Sequence, residues 1–342
     1  MKVLYAIQGT GNGHMSRAKE IIPALMNRCQ VDILVSGTQS EVKLPYKIKY
    51  HLKGVPFVFG KNGGIDYIRT LFSNNIFRVI REIRKVKVHE YDLIINDFEP
   101  ISAWACIFKR MVHCVSLSHQ CALLSNSVPS PDRKSVIGTW FLKNYAPATT
   151  KFGFHFRPYQ NWIYPPIIRK DIRKQSVKQK KYHVVYLPSY GDEKIIKILK
   201  QFKSEKWKVF SKHAKRTYKK LNVQIQPICN KTFERSMAWS KGIICGAGFE
   251  APAEALYLRK KLMVIPMKGQ LEQQYNAAAL KELGVDVFKS FDETIIPEIR
   301  KWLKKTNAIE LDFPDKTQFI IDELISNHIV ATELSNKILQ NI

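Results

Sequence analysis

Short hydrophobic runs recur along the first half of the chain, and each is followed by a polar or glycine-rich loop and then by helical spacing. The runs are Val3–Ile7, Val31–Val35, Leu93–Asn96 and Val112–Leu117. Apolar segments of this length are typical of buried strands. Strands that alternate with helices predict a parallel, doubly wound sheet.

The same alternation starts again at His183 and predicts a second sheet. The strand HVVYLP is followed by the loop SYGDE, a helix over Ile195–Phe202 and a strand over Trp207–Phe210. Between the two sets, residues 128–160 contain several Pro and aromatic residues and predict irregular structure. Residues 165–182 begin with proline, are strongly basic and hold few apolar residues, which favours a connection.

We therefore predict an α/β protein with two Rossmann-like, doubly wound domains. The last residues carry helical spacing, and we expect those helices to pack back on the first domain. The predicted divisions are a first domain over 1–165, a linker over 166–182, a second domain over 183–314 and C-terminal helices over 315–342.

A small-residue turn follows the strand Ile243–Cys245. It consists of Gly246, Ala247 and Gly248, and it leads into a helix with Pro252 in its first turn. A second strand, Leu262–Pro266, and a helix from about Glu272 to Gly284 complete a β-α-β-α unit. Turns of this kind present backbone N–H groups to phosphates at the carboxyl end of a sheet.

A glycine-rich loop, Gly9-Thr10-Gly11-Asn12-Gly13-His14, follows the first strand and opens a helix. It is not a P-loop, because no Gly-Lys-Ser/Thr follows, and its G-x-G-x-G spacing is a poor match to a dinucleotide fingerprint. A histidine at this junction can act as a general base, although it can also be purely structural.

Asp97 ends the strand LIIN and should lie on the same sheet edge as His14. A carboxylate beside an imidazole fixes its tautomer and stabilises the imidazolium. Two alternatives stay open: Asp97 can cap the helix that DFEPIS begins, and His119 can take the role of His14.

Polar residues near the second turn suit a hydroxyl-rich ligand. Glu254 lies six residues after Gly248 and can accept hydrogen bonds from a ribose diol, or it is an ordinary helix-surface residue. Ser189 can cap a helix or bind a phosphate. No D-x-D pair occurs, so a carboxylate-held metal is not indicated. Side chains suited to sugar hydroxyls precede or open the next helix: Gln270, Glu272 and Gln273.

The chain carries 55 Lys and Arg against 29 Asp and Glu, a formal net charge of +26. Such a surface attracts nucleic acid, acidic lipid or phosphorylated substrates, unless it reflects compositional drift alone. One segment predicts an amphipathic helix with a basic face, suited to a bilayer surface or simply to solvent. Its residues are Arg78, Arg81, Arg84, Lys85 and Lys87 with Leu71, Phe72, Ile76, Val79, Ile80 and Ile83.

The six cysteines include no C-x-x-C pair and indicate free thiols in a reducing compartment. No secretory signal or run of about 20 apolar residues is visible. We expect a cytoplasmic protein, with the basic segment allowing peripheral attachment to the inner face of a membrane.

Three motifs resemble those of GT-B glycosyltransferases, in particular the MurG-like and UDP-glycosyltransferase-like groups. Residues 238–248, AWSKGIICGAG, resemble the strand and glycine turn of MurG. Glu272-Gln273 with Asn276-Ala277 matches the E-Q-x-x-N-A run of UDP-glycosyltransferases, and GTGNGH resembles the acceptor-side loop. The loop ends in Asn-Gly-His where MurG has Gly-Gly-His, and the plant Trp-x-x-Gln motif is absent.

The resemblance implies a GT-B fold, with two domains facing a cleft, and an inverting, metal-independent hexosyl transfer from a nucleotide-diphosphate sugar, most simply a UDP-sugar. His14 becomes the base, Asp97 its partner, and Glu254 the ribose ligand. The acceptor loop is formed by Gly9, Gly11, Asn12 and Gly13. The donor site is formed by Ser189, Gly246, Ala247, Gly248, Phe249, Gln270, Glu272 and Gln273, with the nucleobase of the donor near Ile228–Phe233.

No cofactor beyond the sugar nucleotide is expected. The acceptor is undefined, with a lipid-linked molecule compatible with the charge, and nucleic acid is not expected as a partner because no nucleic-acid module is visible. Two alternatives remain: a GT-B-fold sugar-nucleotide epimerase, which needs no acceptor, and a non-catalytic basic protein that binds anions or membranes.

Overall fold

A computed structural model describes residues 1–40, 42–56, 70, 74–110, 113–133, 135–306 and 308–340, without the side chains of 331–340. Leu71, Phe72 and Val112, named in the sequence analysis, lie outside these residues. The described chain forms two seven-stranded sheets. The prediction of an α/β protein with two doubly wound sheets is therefore confirmed.

The first sheet is parallel throughout, in the order β3-β2-β1-β4-β5-β6-β7. Its central strands are apolar on both faces, and residues 3–7 of β1 are fully buried, as expected where helices cover both sides of a sheet. The strands are β1 (Lys2–Gln8), β2 (Gln30–Ser36), β3 (Tyr50–Leu52), β4 (Leu93–Asp97), β5 (Cys114–Ser118), β6 (Thr150–Phe154) and β7 (Ile163–Tyr164).

The second sheet has the order β10-β11-β9-β8-β12-β13-β14, and only the β10–β11 pair is antiparallel. Its strands are β8 (His183–Tyr186), β9 (Trp207–Ser211), β10 (Tyr218–Lys220), β11 (Val223–Pro227), β12 (Gly242–Gly246), β13 (Lys261–Ile265) and β14 (Asp286–Val287). In each sheet the strand order reverses beside the first strand, at β1/β4 and at β8/β12. Ligands bind at such reversal points in open α/β sheets.

Helices cover the sheets and connect them. The first half contains α1 (Asn12–Met26), α2 (Ile76–Lys85), α3 (Pro100–Phe108), α4 (His119–Ala122) and α5 (Val136–Asn144). The connection contains α6 (Lys170–Arg173). The second half contains α7 (Asp192–Leu199), α8 (Asn230–Trp239), α9 (Glu250–Tyr257), α10 (Leu271–Glu282) and α11 (Ile296–Lys304), and α12 (Thr317–Gln340) ends the described chain. Short 3-10 turns occur at Val88–Glu90 and Glu293–Ile295.

The segment 128–160, for which we predicted irregular structure, instead contains α5 and β6. Ser135 caps α5 by accepting a hydrogen bond from the Gly138 amide. The C-terminal residues form one helix, α12, which returns to α1 of the first half. There the Gln318 side chain accepts a hydrogen bond from Asn27 at 3.1 Å, and Asp322 pairs with Arg28 at 3.2 Å.

The predicted basic segment forms α2, capped by Asn75. Its apolar residues divide into two groups: Ile83 is buried against the first half, whereas Ile76 and Phe77 are 60% and 78% exposed. No helix in the described part of the chain is both long and apolar enough to cross a bilayer.

Candidate functional site

A cavity of about 450 Å³ lies between the two halves, at the reversal points of both sheets. The first half contributes the loop after β1, and the second half contributes the turn after β12 and the start of α10. The lining includes the predicted site residues Gly11, Asn12, Gly13, His14, Gly246, Gly248, Phe249, Glu254, Gln270, Glu272 and Gln273.

The loop after β1 depends on its glycines for shape. Gly11 has φ 113°, a region that disfavours residues with a Cβ, and it precedes α1. A Cβ at Gly9 would lie 2.9 Å from the Gly37 carbonyl oxygen, so Gly9 serves close packing and does not line the cavity. A Cβ at Gly13 would lie 3.2 Å from Glu250 Cγ, which brings the loop against the second half.

His14 and Asp97 lie side by side, as expected for a residue in the loop–helix junction after β1 and one at the end of the neighbouring strand β4. These strands pair in parallel, with Ile7 opposite Asp97. His14 Nδ1 is 2.9 Å from Asp97 Oδ1. The His14 side chain keeps 12% exposure toward the cavity, whereas Asp97 is fully buried. This geometry suits an imidazole that is held by a carboxylate at one nitrogen and open to a substrate at the other.

A strained turn directly after Asp97 orients its carboxylate. Phe98 has φ 56°, in the left-handed region that costs a non-glycine residue about 1 kcal/mol or more. Asn96 holds the turn by donating to the Glu99 carbonyl at 2.7 Å and accepting from the Glu99 amide at 2.9 Å. Glu99 caps α3 by accepting from the amides of Ile101 and Ser102. The capping role considered for Asp97 therefore belongs to Glu99.

Arg17, one turn after His14 on α1, completes the cluster around Asp97. Its Nη2 donates to Asp97 Oδ1 at 2.7 Å and Oδ2 at 3.0 Å, and its Nη1 donates to Glu250 Oε1 at 2.6 Å. Burial alone raises the pKa of Asp97, but the charges of Arg17 and His14 outweigh it and hold that pKa below its usual value. Burial raises the pKa of Glu250 to about 7, against the opposing effect of Arg17.

The surrounding contacts assign the tautomer of His14. Nδ1 lies 2.9 Å from Asp97 Oδ1, which can only accept, and 3.2 Å from Arg17 Nη2, which can only donate, while Nε2 lies 3.3 Å from the Gln120 Nε2 amide, which can only donate. We assign the proton to Nδ1 because the contact with Asp97 is the shorter one, and this leaves the lone pair on Nε2. Gln120 also donates to Glu272 Oε2 at 3.1 Å, so its amide lies between His14 and Glu272.

His119, the competing candidate, is unsuited to be the base. Its Nδ1 lies 2.8 Å from the Phe154 carbonyl and its Nε2 lies 2.7 Å from Asn276 Oδ1, so both nitrogens already contact protein atoms and neither is open to a substrate. Its ring stacks on Phe249 at 3.8 Å. His119 therefore joins the two halves as a structural contact.

The turn after β12 is built as the sequence predicts, but its members differ in access. Gly246 and Gly248 line the cavity, and a Cβ at Gly248 would meet no heavy atom within 4 Å. Ala247 is fully buried, and its carbonyl accepts from Asn276 Nδ2 at 3.0 Å. The open backbone at Gly248, next to the N-terminus of α9, suits a phosphate.

Glu254 lines the cavity, but it already has a strong partner. Arg169, from the connection between the halves, donates from Nε to Glu254 Oε1 at 2.5 Å and from Nη2 to Oε2 at 2.8 Å. Its Nη1 donates to Glu234 Oε1 at 2.5 Å. A diol at Glu254 would thus share the carboxylate with a guanidinium that fixes its orientation.

Of the remaining predicted residues, Gln270 and Gln273 line the cavity and Ser189 does not. Gln273 donates to Gln270 Oε1 at 2.8 Å and accepts from the Met267 amide at 2.9 Å, which fixes both amides at the cavity wall. Ser189 is exposed in the turn after β8 and does not line the cavity. Near the region expected for the nucleobase of the donor, the rings of Tyr186 and Phe233 pack with centroids 5.3 Å apart.

Several cavity residues were not predicted as site residues, among them Arg17, Gln120, Arg169, Lys212 and Glu250. A signal existed for Arg17, since it follows His14 by three residues and residues at that spacing share a helix face. No comparable signal marked Arg169 or Lys212, which lie among many basic residues. The described residues contain no group of three or more His, Cys, Asp or Glu side chains that could hold a metal ion.

Two doubly wound domains that meet at their reversal points, with a carboxylate-held imidazole on one wall and a glycine turn on the other, form a GT-B fold. The family follows from the sequence: residues 1–306 match the profile of glycosyl transferase family 1, and the chain belongs to that family.

Solved structures share the fold at low sequence identity. MurG of Acinetobacter baumannii is 15% identical, with a TM-score of 0.57 over 95% of this chain and 99% of that one. A UDP-glucosyltransferase from Polygonum tinctorium that can glucosylate indoxyl is 16% identical, with a TM-score of 0.58 over 94% and 92%. S. aureus MnaA in complex with UDP is 10% identical, with a TM-score of 0.59 over 96% and 95%. No curated protein matches the sequence.

Proposed function

We propose that this glycosyltransferase moves a hexosyl group from a UDP-sugar to an acceptor hydroxyl, with inversion at the anomeric carbon and without a metal or other cofactor. The observation that carries the proposal is the His14–Asp97 pair in one half, 2.9 Å apart, which opens on the same cavity as the glycine turn after β12 in the other half.

The first step is proton transfer to His14. The acceptor hydroxyl replaces the Gln120 amide at Nε2 and donates its proton there, while Asp97 stabilises the imidazolium through Nδ1. The acceptor oxygen forms a bond to the anomeric carbon as the bond from that carbon to the diphosphate oxygen breaks. The electron pair of the broken bond stays on the diphosphate, and a single displacement inverts the anomeric centre.

The departing diphosphate is stabilised by the backbone and by a cationic side chain. The amides near Gly248 and Phe249 lie at the N-terminus of α9, where the helix dipole favours negative charge. Lys212 also lines the cavity. Its ammonium and the backbone amides supply the positive charge that stabilises the departing diphosphate.

Recognition of the donor is distributed over the second half. Glu254, oriented by Arg169, binds the ribose diol, while the nucleobase lies near Tyr186 and Phe233. The sugar hydroxyls meet three fixed polar side chains at the start of α10: Gln270, Glu272 and Gln273.

We further propose that the acceptor is held at an anionic membrane surface through α2. Ile76 and Phe77 are exposed on this helix beside the exposed Arg81. Lys109, directly after α3, donates to the carbonyls of Val86 at 2.7 Å and Arg84 at 3.2 Å, so the exposed Phe108 lies near the C-terminal end of α2. Apolar side chains flanked by Arg and Lys are suited to an interface of acidic lipids.

Two measurements test the enzymatic proposal. A thermal-shift panel should show stabilisation by UDP and not by GDP, ADP or NAD, because ligands stabilise the state that binds them. UDP-sugars are then incubated with hydroxyl acceptors, free and lipid-linked, using wild type and His14→Ala. Transfer at the wild-type rate by His14→Ala would show that another group is the base. Conversion of UDP-GlcNAc without an acceptor would instead favour the epimerase.

Co-sedimentation with vesicles tests the membrane surface. Phe77→Asp should reduce binding to anionic vesicles, while Asp322→Asn, on the exposed side of α12, should leave it unchanged. Equal binding of wild type to neutral and anionic vesicles would contradict the role of the basic face, and so would an unaffected Phe77→Asp variant.

A further inference from the structure

Three cations lie against one tryptophan at the C-terminal end of α8, away from the cavity. Lys178 and Lys180, in the connection between the halves, place their ammonium groups 4.9 Å and 4.2 Å from the centroid of the Trp239 ring. The guanidinium carbon of Arg235, on α8 itself, lies 5.6 Å from the same centroid. None of these side chains lines the cavity.

The backbone that carries the two lysines is fixed to the end of α8. The Lys178 amide donates to the Ala238 carbonyl at 3.0 Å, and the Lys180 amide donates to the Trp239 carbonyl at 2.8 Å. From the other side, Lys260 Nζ donates to the Lys178 carbonyl at 2.6 Å. These amides satisfy carbonyls at the C-terminus of α8, so the ammonium groups of Lys178 and Lys180 are not needed to cap the helix.

A fourth cation, Lys208 on β9, joins the group. Its Nζ lies 4.2 Å from the centroid of the Tyr182 ring, and the Tyr182 hydroxyl donates to the Ser236 carbonyl of α8 at 3.1 Å. Burial and the charges of Lys180 and Arg235 lower the pKa of Lys208. The cations are therefore close enough to repel one another.

No carboxylate neutralises this group among the residues that the structure describes. Glu234, next to Arg235 in the sequence, pairs with Arg169 at 2.5 Å, and Glu205 pairs with Lys241 at 3.6 Å. An aromatic face attracts a cation but carries no net charge. Four positive charges thus remain unbalanced at a fixed place on the surface.

We propose that Lys178, Lys180, Lys208 and Arg235 form a binding site for a phosphate-bearing ligand, separate from the donor cavity. Lys and Arg are the side chains that bind phosphate oxygens. One phosphate monoester carries about two negative charges at most, so four cations suit a ligand with two or more phosphoryl groups, such as a diphosphate. The inference does not depend on the proposed function.

The site and the cavity lie at opposite ends of α8. Asn230, the first residue of the helix, lines the cavity, and Trp239 is its last residue. Nine steps of 1.5 Å separate them by about 14 Å along the helix. A ligand at the four cations therefore leaves the donor site open.

Isothermal titration calorimetry with inorganic diphosphate tests the site, with saturating UDP present to occupy the cavity. Wild type should bind diphosphate under these conditions. The loss of one charge-assisted hydrogen bond weakens binding by about tenfold, so Lys178→Gln/Lys180→Gln should bind about 100-fold more weakly and Arg235→Gln about tenfold. Thermal melts show whether each variant is folded.

The matched control is Lys200→Gln/Lys203→Gln, which removes the same charge at the end of α7 and just beyond it. α7 packs on the sheet face that holds Trp207 and Val209, whereas Lys208, between them on β9, belongs to the other face. The control should bind diphosphate as wild type does. Absence of diphosphate binding to wild type overturns the proposal, and so does wild-type affinity in the folded Lys178→Gln/Lys180→Gln variant.

The comparison remains decisive if UDP itself does not bind. Because Lys178 and Lys180 lie outside the cavity, weaker diphosphate binding by their variant still assigns the site, and the failure of UDP would count against the proposed function alone.

Vesicles distinguish a lipid headgroup from a free phosphate ligand. Phosphatidylinositol bisphosphate and phosphatidylserine vesicles are matched in total charge. A preference for the former that Lys178→Gln/Lys180→Gln loses and Phe77→Asp keeps would identify a phosphorylated lipid. Diphosphate binding without such a preference would identify a free ligand.

Discussion

Asp97→Asn and His14→Ala should separate the contribution of the site to the stability of the fold from its contribution to the transfer rate. The Asp97 carboxylate is fully buried and contacts Arg17 at 2.7 Å and 3.0 Å and His14 at 2.9 Å. Asparagine keeps the shape but leaves the buried Arg17 with one anionic partner fewer. Breaking a buried ion pair costs about 3–5 kcal/mol. Because Glu250 still accepts from Arg17 at 2.6 Å, we expect the lower end, about 3 kcal/mol.

His14→Ala leaves the Arg17–Asp97 pair intact. It removes the hydrogen bonds of a partly exposed ring to Asp97 and, over a longer distance, to Gln120, together worth about 1 kcal/mol. In a domain of this size 1 kcal/mol moves Tm by about 2–4 °C, so we expect a fall of about 9 °C for Asp97→Asn against about 3 °C for His14→Ala. Both variants should lose about 10²–10⁴-fold in transfer rate, the usual range for a general base.

Circular dichroism melts at several pH values, together with transfer rates, check this prediction. The pKa of Asp97 is held below its usual value, so its contribution to stability is present above pH about 4 and is lost as the pH falls through the folded-state pKa. The difference between Asp97→Asn and wild type should therefore narrow in acid. An Asp97→Asn protein as stable as wild type at pH 7, or a His14→Ala protein equally destabilised, would refute the reasoning.

Three further outcomes are expected. Gly248→Ala places a methyl group where no heavy atom lies within 4 Å, so Tm should change little while the UDP-induced thermal shift falls. The control is Gly242→Ala, whose Cβ would lie 2.8 Å from Trp302. It should lower Tm and keep the UDP-induced shift. Arg169→Lys loses the two-point contact with Glu254 and should weaken UDP binding in calorimetry, and unchanged affinity would argue against an orienting role. Addition of EDTA should leave the initial transfer rate unchanged, whereas a loss restored by Mg²⁺ would contradict the metal-independent step.

The strands that the sequence located are those buried on both faces. Residues 3–7 and 243–245 form continuous apolar runs, because helices cover both sides of the sheet there. β6 and β11 were missed for the opposite reason. β6 begins with the exposed Thr150 and Lys151, and β11 alternates polar and apolar residues. Such short patterns resemble loops until a neighbouring strand is known.

The relative position of His14 and Asp97 was predictable because parallel strands bring their carboxyl ends to one edge. The hydrogen-bond partners of Arg17 and Arg169 could not be predicted in this way. Arg17 and Arg169 are two of 55 basic residues, and nothing local distinguishes an arginine that bridges buried carboxylates from one in solvent. Only the packing of α1 against α9, and of the connection against Glu254, selects them.

The return of α12 to α1 has a mechanical consequence. The chain crosses between the halves twice, and both crossings lie by the later part of α1: the Lys170 amide donates to Glu20 at 3.2 Å, and Gln318 contacts the Ala24 carbonyl at 3.4 Å. Two adjacent crossings place the hinge between the halves beside the later part of α1. Arg17 lies seven residues from Ala24, about 10 Å along a helix at 1.5 Å per residue. A rotation of about 10° about an axis across α1 at Ala24 would change the separation at Arg17 by about 1.8 Å, enough to break a hydrogen bond of 2.6 Å. A small rotation therefore suffices to separate Glu250 from Arg17.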